Sequence, residues 1–127
     1  MSMYNRLSNC KNQFQTPVKK VLCVCSAGLL RSPTTANVLH IKFGFNTRAV
    51  GANSEYALIA VDDVLLEWAD EVVFMEQDHA DAVFDKFPFW HGEFVVLGIP
   101  DMYEWDDPKL RSLIQQRYSE SQINKGV

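Results

Sequence analysis

The sequence predicts an α/β fold, a three-layer sandwich in which a four-stranded parallel sheet lies between flanking helices. Two observations carry this. The runs at 18–24 and 71–75 are nearly continuously apolar, which suits strands buried on both faces. Apolar runs then alternate with amphipathic stretches four times, the order that builds parallel sheets with right-handed crossovers. The chain has 127 residues, enough for one core, and no repeat or low-complexity linker divides it.

Residues 1–17 are polar, lack periodicity and close on Pro17, so they read as a loose N-terminal arm before a single domain spanning 18–127. The first strand, 18–24, leads into the small-residue turn Cys25-Ser26-Ala27-Gly28. Ser32 is placed to cap a helix and Pro33 suits its first turn. Ala36, Leu39 and Phe43 share one face of that helix, and Gly44 is its stop. A short strand at 47–50 ends in Gly51-Ala52-Asn53-Ser54. Val61, Leu65 and Trp68 then form the inner stripe of a helix over 58–69. After the strand at 71–75, a helix covers 77–87 until Pro88, and a fourth strand covers 94–99. Asp107 followed by Pro108 opens a final helix that turns Leu110, Leu113, Ile114 and Tyr118 inward.

Composition narrows the function classes. With 12 Lys+Arg against 16 Asp+Glu the formal charge is −4, so a general nucleic-acid surface is not expected, although one small basic pocket is compatible with it. No apolar run approaches the roughly 18–20 residues that span a bilayer, and the N-terminus lacks a signal-peptide segment. A cytoplasmic protein without a membrane partner is the expectation. Three cysteines, an odd number without a C-x-x-C or Cys/His zinc pattern, give neither a disulfide framework nor a metal site, and no cofactor is expected. In a reducing compartment such a cysteine is either packing or a reagent.

In parallel sheets, ligands bind beyond the carboxyl ends of the strands, and the loops 25–32 and 100–107 leave strand ends with reactive residues. Cys25 and Arg31 frame the first loop. Chance alone would place some Cys and Arg at this offset roughly one time in eight in a chain of this composition, so the context has to carry the argument. That context is a buried strand, a glycine-containing turn and a helix start. Backbone N–H groups there converge on an anion and also stabilise a thiolate. Arg31 brings a planar fork that takes two phosphate oxygens at once, and the Ser32 hydroxyl can donate to the sulfur. In the second loop, breaking a tyrosine phosphate ester demands a proton for a phenolate whose acid has a pKa of about 10. Asp101, first after the strand, can give that proton and later activate water. Asp107 reads as a helix cap and Asp106 as the alternative acid. Tyr103, with Trp105 as a weaker candidate, can wall a substrate ring.

At this point the residues resemble a known family. The run from Val24 through Cys25, Arg31 and Ser32 to Thr34 is similar to the signature of low-molecular-weight protein tyrosine phosphatases. More closely, the chain resembles a small bacterial branch described as predicted protein tyrosine phosphatases. The shared features are the loop, a Leu66-Glu67-Trp68-Ala69-Asp70 segment leading to Met75-Glu76, and Ile99-Pro100-Asp101-Met102-Tyr103-Glu104. The resemblance runs from about 18 to 118.

The resemblance implies phosphotyrosine hydrolysis in two steps without a cofactor. Cys25 would be the nucleophile that becomes a phosphocysteine, Arg31 would bind the transferring phosphoryl group, and Ser32 would stabilise the thiolate. Asp101 would be general acid and then base. The backbone from Ser26 through Ala27, Gly28, Leu29 and Leu30 to Arg31 would cradle the phosphate, with Leu29 and Tyr103 as the substrate wall. Its partner would be a phosphotyrosine-containing protein or a small aryl phosphate.

Three positions depart from the larger family. Gly28 replaces a loop-bracing asparagine, for which Asn53 or Ser54 are substitutes. Leu30 replaces a second loop cysteine, and Met102 stands where a proline is usual. Leu29 matches a position that carries a small hydroxyl residue in phosphoarginine-selective relatives, so its bulk favours an aromatic substrate.

Arsenate reduction on the same fold needs further cysteines, and none follows Cys25. A phosphocysteine carrier similar to sugar-transport IIB subunits, and a phosphotyrosine-binding module with vestigial activity, stand as alternatives. Arg31 and Asp101 argue against the carrier, while Gly28 motivates the module. Cys23 reads as a packed core thiol, since i and i+2 of a strand are poorly placed for a disulfide. His40, His79 and His91 read as surface or half-buried. The aromatic connection at 87–90 reads as packing, or as an exposed patch for a partner. Glu104, Asp106 and Asp107 put negative charge beside the site, which disfavours strongly acidic substrates.

Overall fold

The structure, a computed structural model, describes residues 18–26, 31–52, 60–104 and 106–125. The predicted arm at 1–17 lies outside them. The elements in chain order are β1 (Lys20–Cys25), α1 (Arg31–Phe43), β2 (Asn46–Gly51), α2 (Asp63–Trp68), β3 (Glu71–Phe74), α3 (Gln77–Lys86), β4 (Phe94–Val96) and α4 (Pro108–Lys125). All neighbouring strands pair in parallel, in the order β2-β1-β3-β4. This is the predicted α/β sandwich.

Strand periodicity divides the core in two. Along β1, Val21, Cys23 and Cys25 join one apolar cluster with Leu39 of α1 and Leu110, Ile114 and Tyr118 of α4. Leu22 and Val24 face the opposite way and join Leu65, Leu66, Phe74, Ala80 and Val83. Successive side chains alternate across a strand, so a central strand covered on both faces is apolar at every position. The run Val21-Leu22-Cys23-Val24-Cys25 is apolar at each position and so serves both layers.

Two elements are shorter than the sequence predicts. The helix expected over 58–69 runs only over Asp63–Trp68, because the Asp62 carboxylate accepts the Leu65 N–H at 2.7 Å and caps it there. Ala60, just before, bridges to Gly51 instead. Residues 58 and 59 lie outside the described residues. The fourth strand is regular over Phe94–Val96, after which the left-handed Gly98 (φ 69°) bends the chain. Ladder-like bonds persist beyond it: Leu97 N–H donates to Phe74 O at 2.9 Å and Ile99 N–H to Met75 O at 2.8 Å. Gly44, at φ 73°, ends α1 as expected, its N–H bonded to His40 O at 3.0 Å. Cys23 is the packed core thiol the sequence predicts, and burial pushes its ionisation up, aided by Cys25 and Glu71. Among the described residues no helix is long and apolar enough to cross a membrane.

At the amino end of the sheet Glu71 is buried, 1% exposed. Its carboxylate accepts from Tyr118 Oη at 2.7 Å and Gln122 Nε2 at 3.1 Å and pairs with Lys19 Nζ at 3.1 Å. Burial and the bond to Glu71 raise the Tyr118 ionisation. This network pins α4 to the end of β3. Tyr118→Phe, which leaves Glu71 short of a donor, is expected to lower unfolding free energy by about 1–3 kcal/mol, as read from urea denaturation.

Candidate functional site

Because the four strands run parallel, Ser26 after β1, Glu76 after β3 and Asp101 beyond β4 all emerge at one edge of the sheet. Cys25 closes β1 at 4% exposure. Its Sγ lies 3.1 Å from Ser32 Oγ in a hydrogen bond. Ser32 is fully buried in the first turn of α1 and also donates to Val50 O, at 3.3 Å, at the end of β2. The expected capping role of Ser32 is therefore corrected: α1 already begins at Arg31, and the hydroxyl is turned back onto the strand ends.

Arg31 is 3% exposed, so its cation must be partnered by protein groups. Nη1 donates to a Glu76 carboxylate oxygen and, at 2.8 Å, to Ile99 O. Nε faces Asp101 Oδ1 at 3.6 Å. Two carboxylates and a carbonyl from two different strand ends thus orient one guanidinium. Asp101 itself is well exposed, 63%, and can meet solvent or a ligand.

The structure therefore pairs Cys25 with Ser32 and Arg31 with Asp101, both pairs at the carboxyl edge of the sheet. Ser26 follows directly, exposed at the strand end. The remaining predicted cradle positions, Ala27, Gly28, Leu29 and Leu30, lie outside the described residues, as do Asn53, Ser54 and Trp105. Tyr103 is half-buried against the α1/α4 core and lines a shallow cavity of about 440 Å³ with Pro108, Lys109 and Leu113. Asp107 does cap α4, accepting the Lys109 N–H at 2.8 Å. The alternative acid, Asp106, pairs with Arg111 at 2.6 Å and its N–H bonds Thr34 Oγ1. Of the three aspartates, Asp101 is the one against Arg31. The acidic cluster is in this way partly neutralised, with Glu104 remaining exposed.

Sequence reasoning missed two residues. Glu76 was noted only as part of a resemblance, yet its carboxylate is the principal partner of Arg31. His79, which the sequence places at the surface or half-buried, is 5% exposed. Its Nδ1 accepts the Glu76 N–H at 3.1 Å, and its Nε2 lies 3.1 Å from Ser26 Oγ. The spacing Glu76-x-x-His79 after a strand marks a capping box, with histidine where glutamate or glutamine is usual, but not the contacts to Arg31 and Ser26. Burial, then the Arg31 cation, hold the His79 pKa below 6.5, opposed by Glu76, Asp78 and Asp101. His40, by contrast, is occupied by Phe45 O at 2.9 Å, and His91 is exposed. Among the described residues no three His, Cys, Asp or Glu side chains gather to hold a metal ion.

No family model matches the sequence, and no curated protein matches it. Solved structures do share its fold. The YwlE arginine phosphatase from Geobacillus stearothermophilus superposes with a TM-score of 0.60 at 20% identity, covering 86% of this chain and 95% of its own. The Erwinia amylovora tyrosine phosphatase AmsI gives 0.66 at 16% identity, over 85% and 95%. Vibrio vulnificus Wzb, in complex with benzylphosphonate, gives 0.62 at 20% identity, over 87% and 100%. The chain thus has the fold of these small bacterial phosphatases along most of its length.

Removing the main partner of a buried cation strands that charge. Glu76→Ala is expected to lower unfolding free energy by about 1.5–3 kcal/mol in chemical denaturation, with Asp101→Ala costing less because that contact is longer and solvent-screened.

Proposed function

We propose that this protein is a cysteine-dependent phosphatase that hydrolyses phosphotyrosine or related aryl phosphate monoesters through a phosphocysteine. The observation that carries the reading is the convergence of a thiol, a hydroxyl 3.1 Å from it and a buried, oriented guanidinium at one sheet edge, beside an exposed carboxyl group. Its fold neighbours support the reading. YwlE is an arginine phosphatase, AmsI a tyrosine phosphatase, and Wzb is bound to benzylphosphonate. A YwlE mutant with a phosphorylated active-site serine supports an enzyme-bound phosphoryl group.

In this mechanism the Cys25 thiolate attacks phosphorus as the bond to the aryl oxygen breaks, and Asp101 gives its proton to the departing phenolate. Arg31 and the N–H groups of residues 26–31 hold the three equatorial oxygens, stabilising charge that elsewhere falls to a metal ion. Asp101, now a carboxylate, takes a proton from water. The water oxygen attacks phosphorus, the S–P bond breaks, and Ser32 donates to the returning thiolate. The bulk of Leu29 and the ring of Tyr103 favour an aromatic ester over phosphoarginine. No nucleic-acid or membrane partner enters the scheme, and a cytoplasmic setting suits a reactive thiol.

Three measurements test this. Cys25→Ser is expected to abolish turnover of an aryl phosphate, and Asp101→Asn to slow it by about 10²–10⁴-fold, the usual weight of general acid–base catalysis. Mass spectrometry of Asp101→Ala protein mixed with aryl phosphate is expected to find a phosphoryl group on Cys25. Phosphotyrosine binding by the unmutated protein without any turnover would establish the binding-module reading instead, and a stable phosphocysteine in the unmutated protein would establish the carrier.

A further inference from the structure

We propose that His79 is a positioning residue that couples the nucleophile loop to the arginine clamp, its Nε2–H donating to Ser26 Oγ while its Nδ1 accepts the Glu76 N–H. The inference rests on the phosphate-site reading of Cys25 and Arg31 and extends it to a residue beside Ser26 and Glu76.

The protonation state follows from the hydrogen bonds. A backbone N–H is always a donor, so the nitrogen it meets must be a lone pair. Glu76 N–H points at Nδ1 at 3.1 Å, which puts the single ring proton of neutral imidazole on Nε2. Nε2–H is then the donor to Ser26 Oγ, also at 3.1 Å. Ser26 is the residue after Cys25, and the Glu76 carboxylate bonds Arg31. One buried ring therefore links the end of β1 to the start of α3, and through Glu76 to the guanidinium. Gly28, two residues beyond Ser26, contributes no side chain of its own to the loop.

Protonating the ring would set an Nδ1–H against the Glu76 N–H, two donors facing each other. The charged groups around it are Arg31 of α1, Glu76 and Asp78 at the start of its own helix, and Asp101 from the segment beyond β4. Burial and Arg31 outweigh the three carboxylates and favour the neutral ring in the folded protein. The sign follows: the unfolded chain binds this proton more readily, so the tie is intact above pH 6.5 and stability declines as pH falls below it.

The experiment has two parts on the full chain. Nitrogen-15 NMR of the histidine rings reads the tautomer, expected as Nε2–H for His79 at pH 7.5; a proton on Nδ1 would overturn the proposal. Calorimetric binding of inorganic phosphate to His79→Asn, Ser26→Ala and the double variant reads the coupling. Each single change is expected to weaken binding about tenfold and the double change by no more than about twofold beyond the worse single, as a shared link requires. His79→Gln, whose amide reaches the Nε2 position, is expected to recover part of the loss. Effects that multiply in the double variant would overturn the link. Phosphate binding with intact coupling but no aryl phosphate turnover would remove the phosphatase reading and leave the tie; no phosphate binding by the unmutated protein would remove both.

Discussion

A guanidinium taken out of water costs several kcal/mol unless protein groups offset its charge, and Arg31, 3% exposed, imposes that condition on the groups around its Nη1 and Nε. The partners come from different parts of the chain: Glu76 from the end of β3, Ile99 and Asp101 from beyond β4, and Arg31 itself from the start of α1. These meet only because β1, β3 and β4 are adjacent and parallel, which brings their carboxyl ends to one edge. An oxyanion arriving there would find a fork already turned and held, so little ordering would remain to oppose its binding. The sheet topology and the site are in this sense one constraint.

The fold was legible because its signals are local and periodic. Apolar runs on β1 and β3 reflect strands covered on both faces, and the two clusters that share β1 residue by residue show why alternation was absent there. The placement of Cys25, Arg31 and Asp101 at one sheet edge was legible because the segments that carry them follow strand ends in a parallel sheet. Glu76 and His79 were not. An acidic residue followed three positions later by a polar one reads first as a helix cap, and nothing in that spacing reveals that the carboxylate also bonds Arg31 or that the ring reaches Ser26. Ser32 shows the same ambiguity in reverse: a serine before a proline looks like a cap, but the tertiary position of the β1 and β2 ends gives the hydroxyl better partners. The shortened α2 is a matter of one aspartate, since Asp62 competes for backbone N–H groups that a periodic pattern alone assigns to helix.

Cys23 and Cys25 lie two residues apart in the same cluster, yet their surroundings differ in kind. Cys23 is enclosed by apolar neighbours that disfavour a charge on its sulfur. Cys25 ends the strand with a hydroxyl against its sulfur and an exposed residue next in the chain. A net charge of −4 says nothing about such a place, because the cation that matters is buried and counted once among many.

The Ser32 hydroxyl has only one hydrogen and two claimants, Cys25 Sγ at 3.1 Å and Val50 O at 3.3 Å. When the sulfur carries a proton, the thiol can donate to Oγ while the hydroxyl hydrogen goes to the carbonyl. When the sulfur is ionised it can only accept, and a hydroxyl that turns toward it releases Val50 O. The loss of a proton at the end of β1 is thereby felt as a lost bond at the end of β2, and the neighbouring strand becomes a listener to the state of the thiol.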